Sequence, residues 1–121
     1  MITEDYVSFE TAKLLKEKGF DEMTELAYGL EHGHIRNDLP VSYWRNSEIG
    51  EYKFSCPTLQ MTMKWLREVH YIDISVTPDR KAGYSVLIFK DKRLPFDTLD
   101  SYSTYEYACE TAIKYCLENL I

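Results

Sequence analysis

The spacing of apolar and polar residues divides the chain into three helical stretches and four extended ones. A first helix is predicted over Phe9 to Lys18, with Ala12, Leu14 and Leu15 inward and Lys13, Lys16, Glu17 and Lys18 toward water. Ser8 is suited to cap it, because its hydroxyl can accept a first-turn N–H, and Val7 before the cap can staple onto Ala12. Gly19 supplies a left-handed stop, after which Phe20 folds back on Leu15. A second helix is predicted to start at Pro57, where a missing N–H costs nothing. Leu59, Thr62, Met63, Leu66 and Val69 form its apolar stripe, Met61 and Trp65 a flanking ridge, and Arg67 and His70 a last turn suited to the helix dipole. The third helix is predicted from a capping box of Ser103 and Glu106 to about Asn119. Tyr105, Cys109, Ala112, Ile113, Cys116, Leu117 and Leu120 fall on its inner face.

The extended stretches are less uniform. Leu26-Ala27-Tyr28 suggests a strand, Glu31-His32-Gly33-His34 a hairpin turn, and Ile35 the return strand. The segment 41–54 reads as short strands or an ordered loop. Ile72, Ile74 and Val76 alternate with Asp73, Ser75 and Thr77, the pattern of a strand buried on one face. Tyr84 to Phe89 is apolar on both faces and so reads as a more central strand, paired antiparallel with the one before it. The order α-β-β-α-β-β-α indicates an α+β fold: a mostly antiparallel sheet of about four strands with helices packed on one face, in a single domain over 1–121. If the second and third strands are neighbours, a right-handed crossover makes that pair parallel.

Composition narrows the function classes. The 121 residues carry 14 Lys and Arg against 20 Asp and Glu, a net charge of -6. A globally acidic chain repels phosphate backbones, which disfavours general nucleic-acid binding. The imbalance lies in the first half, where residues 1–60 hold 11 acids and 6 bases. No apolar run approaches the roughly 18 residues of a membrane span. The polar, acidic start Met1 to Asp5 is unlike a secretory signal, so a cytoplasmic location is expected. The three cysteines, Cys56, Cys109 and Cys116, read as small buried residues in a reducing compartment. Cys109 and Cys116 stand about 10 Å apart on one helix, too far for a disulfide.

Candidate chemistry is sparse. His32 and His34 have the spacing at which two strand residues share a face and grip one ion, with His70, Cys56 or Glu31 needed to complete a set. Two histidines in a polar turn are more often solvated, and no metal or cofactor is expected. The candidates for an activated nucleophile are Cys56 with His70, or a serine with a histidine; Cys56 is the more interesting cysteine, because a helix N-cap lowers a thiol pKa. No phosphate loop or nucleophile motif occurs, and an enzyme is not expected. Arg80, Lys81, Lys90, Lys92 and Arg93 form a local basic stretch, with Tyr84 and Phe89 as bases' stacking candidates. Ten tyrosines are many for this length. Tyr43, Trp44 and Tyr52 are the first candidates for a protein interface, because such side chains bury area while keeping a polar tip.

Three stretches, Met1 to Phe20, Pro57 to His70 and Tyr107 to Ile121, carry a further signal. Together, and most of all in the pattern P-T-x-x-x-x-x-K-W-L-R-E-V-H over 57–70, they resemble a group of small proteins of gut Bacteroidales and their phages and prophages. The resemblance covers about half of the chain and leaves out 21–56. It implies a cytoplasmic accessory protein of mobile-element origin, and it carries no activity and no site residues. The expected function is therefore a non-enzymatic interaction module binding an unidentified protein, or its own copy, around 41–54. The alternatives are a small nucleic-acid-binding protein using the hairpin 79–93 and, less expected, an enzyme or metal protein.

Overall fold

In the computed structural model, which describes residues 1–31, 34–36, 44–93 and 97–121, the chain forms two compact units, 1–58 and 59–121. The first begins with α1 (Phe9–Glu17), held as its sequence predicts. The Ser8 hydroxyl accepts the Thr11 N–H at 3.3 Å. At the other end Gly19 takes φ +92°, Phe20 N–H donates to Leu15 O at 2.9 Å and Gly19 N–H to Lys16 O at 3.3 Å, the two bonds of a Schellman ending. Ala12 and Leu15 are buried and Leu14 is half-buried.

Three strands follow: β1 (Leu26–Glu31), β2 (His34–Arg36) and β3 (Lys53–Cys56), in the order β2-β1-β3. Glu31 pairs with His34, which makes the expected hairpin, and Tyr28 pairs with Phe54. Both rings of that second pair meet Phe9 of α1 edge-on, at 5.6 and 5.5 Å. The buried Tyr28 hydroxyl donates to Val7 O at 2.7 Å. Between β2 and β3 the described chain makes a single 3₁₀ turn, Asn46–Glu48.

The second unit comprises α2 (Leu59–His70), β4 (Ile72–Pro78), β5 (Tyr84–Lys90), β6 (Asp97–Tyr102) and α3 (Tyr105–Asn119). Its sheet has the order β4-β5-β6, so β5 is central, as its two apolar faces predict. Ile74 pairs with Ile88 and Val76 with Val86, and both helices contact this sheet. Leu59, Thr62, Met63 and Leu66 of α2 are buried, as are Cys109, Ala112, Ile113, Cys116 and Leu117 of α3.

The fold is α+β, and among the described residues every strand pair is antiparallel. Several details depart from expectation, among them Val69, expected on the apolar stripe of α2 but 50% exposed. Among the described residues the strands form two three-stranded sheets rather than one of about four, because β3 pairs back onto β1, and no parallel crossover pair forms. β6 is an added strand. Pro57 lies before α2, where its carbonyl accepts the Val7 N–H at 3.1 Å. The cap of α3 is Thr104, whose Oγ1 accepts Tyr107 N–H at 3.0 Å, not Ser103.

Candidate functional site

Tyr52 stands at the mouth of β3, and the turn before it is built with care. Gly50 adopts φ +80°, a conformation that costs a side-chain-bearing residue energy. Lys16, expected to face water, instead spans this turn. Its Nζ donates to the carbonyls of Gly50 and, at 2.7 Å, Lys53, and lies 5.1 Å from the Phe54 ring centroid. Burial pushes the Lys16 ammonium pKa below its ordinary value, and Glu51 opposes this in part. The Leu30 N–H donates to Tyr52 O at 3.1 Å, which extends the β1–β3 pairing by one residue pair.

Strand alternation then decides which residues share a surface. Leu30 and Tyr52 follow Tyr28 and Phe54 on the face where Phe9 of α1 packs, but they are far less covered. Leu30 is 41% and Tyr52 64% exposed, while Tyr28 and Phe54 are buried. In the register, Leu30 also lies opposite Ile35 of β2. Trp44 belongs elsewhere. It exchanges two backbone bonds with Thr24, at 2.9 and 3.0 Å, and the Lys53 ammonium lies 4.9 Å from its ring centroid. Because Lys53 follows Tyr52 directly, Trp44 and Tyr52 lie on opposite faces of the sheet. The expected aromatic group is thus divided: Tyr52 is exposed, Trp44 is half-buried, and Tyr43 lies outside the described residues. Leu30 was missed by sequence reading, although its spacing from Leu26 and Tyr28 signals the shared face.

The outer edge of β3 is closed by Asn46. Its Nδ2 donates to Phe20 O at 2.8 Å and its Oδ1 accepts Ser55 N–H at 2.9 Å, both bonds buried. Asp21 Oδ1 accepts Ser47 N–H at 2.8 Å, which holds the Asp21 carboxyl below its ordinary pKa. Sequence reading missed Asn46 as well.

The basic stretch is divided too. Arg80 and Lys81 lie in the β4–β5 turn, whereas Lys90 closes β5 and Lys92 and Arg93 follow it. Seven strand residues at about 3.3 Å each put roughly 20 Å between the two groups. Lys90 donates to Leu120 O at 2.9 Å. Tyr84 and Phe89, five apart, face opposite sides of the sheet, and Tyr84 meets Tyr105 edge-on at 5.9 Å. They do not form a single stacking platform.

The remaining candidates do not converge. His32 lies outside the described residues, and His34 is placed by its backbone in β2, paired with Glu31. Among the described residues no three His, Cys, Asp or Glu side chains gather as a metal set. Cys56 ends β3 rather than capping α2; it is buried, and its thiol donates to Val7 O at 3.7 Å. His70 ends α2, edge-on to Trp65 at 4.7 Å between centroids, with Nε2 buried and unpartnered. Burial pushes its pKa down, and Lys90 adds to that. Burial also pushes the Cys109 thiol up and the Cys116 thiol up to about 12.

The second unit also has an open cleft of about 520 Å³, lined by Arg67, Glu68, Tyr71, Asp73 and Lys92. Tyr71, Asp91 and Lys92 around it have φ of 57°, 56° and 57°, although none is glycine.

The fold and these surfaces define a small α+β protein with an exposed apolar sheet end and a charged cleft. No family model, no curated protein and no solved structure matches the chain. No helix among the described residues is long and apolar enough to cross a membrane.

Proposed function

We propose that the chain is a non-enzymatic interaction module that docks a partner protein on the open end of the β2-β1-β3 sheet. The observation that carries this reading is the exposed pair Leu30 and Tyr52, the latter next to a turn whose Gly50 and Lys53 carbonyls are held by Lys16 of α1. A tyrosine at the centre of a small apolar patch is a common anchor for protein contacts. The partner is a protein whose contacting surface is apolar at its centre and basic around it, to match the 11 acids and 6 bases of residues 1–60. This moves the expected interface from the whole of 41–54 to Tyr52 and its strand neighbour. The phage or mobile-element origin implied by the resemblance accords with such an accessory role.

The test compares the wild-type chain with Tyr52→Ser and Leu30→Ser, each immobilised and exposed to host lysate with and without nuclease. The reading expects one saturable protein that survives nuclease and is lost from both variants, whose thermal midpoints stay close to wild type. Capture that is equal for wild type and variants overturns it. Capture that vanishes with nuclease favours nucleic-acid binding instead.

A further inference from the structure

We propose that the cleft at the end of α2 binds a short peptide with both ends free. The cleft lies between the last turn of α2, the start of β4 and the turn after β5. Its volume, about 520 Å³, is within the range of pockets that hold small ligands.

Its charges point to the ligand class. Arg67 and Lys92 bring two cations and Glu68 and Asp73 two carboxylates to one cleft. Among the described residues none of these four side chains closes on another in an ion pair, so both signs remain open to an occupant. An anion alone would meet the carboxylates, and a cation alone the guanidinium and ammonium. A ligand that carries both a carboxylate and an ammonium can meet both signs. The Tyr71 ring, 63% exposed beside them, offers an apolar wall for a side chain between the two ends.

The backbone of the cleft is fixed in a shape its residues do not prefer. Tyr71 directly follows α2 in the left-handed conformation that glycine usually takes there. Its carbonyl accepts Asp91 N–H at 2.8 Å. Asp91 and Lys92 both take left-handed φ in a turn closed by Arg93 N–H to Lys90 O at 3.2 Å, a turn that Asn-Gly forms with less strain. Strain of this kind gathers at ligand sites, where it holds side chains in place before binding.

The experiment is an NMR titration of the ¹⁵N-labelled full chain with the tripeptide Ala-Phe-Ala, then with its N-acetylated and its C-amidated forms. We expect saturating shifts confined to the amides of 67–73 and 90–93. Blocking either end should weaken binding about tenfold or more, as should Arg67→Gln with Lys92→Gln, or Glu68→Gln with Asp73→Asn. All four side chains reach solvent, and the unshifted spectrum outside the cleft verifies that the variants fold. Absence of saturation at millimolar peptide overturns the proposal, as do equal shifts from the blocked peptides or shifts spread over other surfaces. The cleft and Tyr52 lie in different units, so failure here leaves the docking reading standing.

Discussion

Asn46 offers the sharpest test of how the first unit is held. Its amide joins the exit of α1 to the outer edge of β3, through Phe20 O at 2.8 Å and Ser55 N–H at 2.9 Å. Asn46→Ala removes both partners at once. Phe20 is 1% and Ser55 0% exposed, so water does not readily replace them. An orphaned buried backbone group costs about 1–3 kcal/mol, and two such groups together about 2–4 kcal/mol after partial relaxation. Native-state hydrogen exchange reads this in the right place. Protection of the β1 and β3 amides should fall roughly 30- to 700-fold, at 1.4 kcal/mol per factor of ten. A fall of less than about threefold would show that Asn46 does not hold this edge. Asn46→Asp separates the two bonds. A carboxylate still accepts from Ser55 N–H but sets a second acceptor against Phe20 O. Folding then favours the protonated acid, whose hydroxyl can donate, so the carboxyl pKa is raised in the folded state. The variant should therefore recover stability as pH falls through that raised value, while Asn46→Ala should not.

Other outcomes follow from single contacts. Ser55 Oγ is buried without a partner, so Ser55→Ala should leave the denaturation midpoint unchanged or raise it, by up to about 1 kcal/mol of stability. A Cβ on Gly83 would meet Tyr102 O at 2.6 Å and Ser101 Oγ at 2.5 Å, so Gly83→Ala should cost about 1–3 kcal/mol by urea unfolding and disturb the β5–β6 amides first. His70 has a folded pKa below its unfolded value of about 6.5. Stability from the neutral ring is complete above pH 6.5 and is lost as pH falls through the lower folded pKa; His70→Gln should flatten that slope relative to wild type, and an unchanged slope refutes the assignment. All three cysteines are buried and Cys116 has its pKa pushed up to about 12, so a thiol reagent should label the native chain only at the rate of local opening; prompt labelling of Cys56 would restore it as a nucleophile candidate.

What could be read from the sequence was whatever its own neighbours decide. The Ser8 cap, the Gly19 stop, the buried stripe of α3 and the double-faced β5 are all set by residues within a few positions of one another. Pairings made across the chain were not legible. Asn46 reaches back 26 residues to Phe20, and Lys16 reaches 34 to Gly50, with no periodicity to announce either. β6 has the sequence Asp97-Thr-Leu-Asp-Ser-Tyr102, poor in strand formers; its backbone is ordered by pairing with β5 rather than by local preference. The count of sheets failed for the same reason, because hydrophobic alternation marks a strand without naming its partner. At the candidate surface, composition pointed to aromatic residues but could not say which face each occupies. Tyr52 and Trp44 are eight positions apart, yet the direct succession of Tyr52 and Lys53 puts them on opposite sides of the sheet.

That division changes what a Trp44 substitution reports. Removing Trp44 would take away the surface over which Lys53 lies, and with it packing behind the sheet, so loss of binding in Trp44→Ala could arise from loosening alone. Tyr52→Ser leaves the Lys16 bonds to the turn carbonyls in place, because they involve backbone oxygens only. It is the cleaner probe of a docked partner. Lys16→Met is its complement, for it frees the Gly50 and Lys53 carbonyls while leaving Tyr52 present. If the rigid presentation of Tyr52 matters, Lys16→Met should weaken partner binding mainly through a slower association or a faster release, with the ring itself intact. Surface-plasmon measurements of both variants against the captured partner distinguish the cases. Equal binding by Lys16→Met and wild type would mean that exposure of the ring suffices and the turn's rigidity contributes nothing.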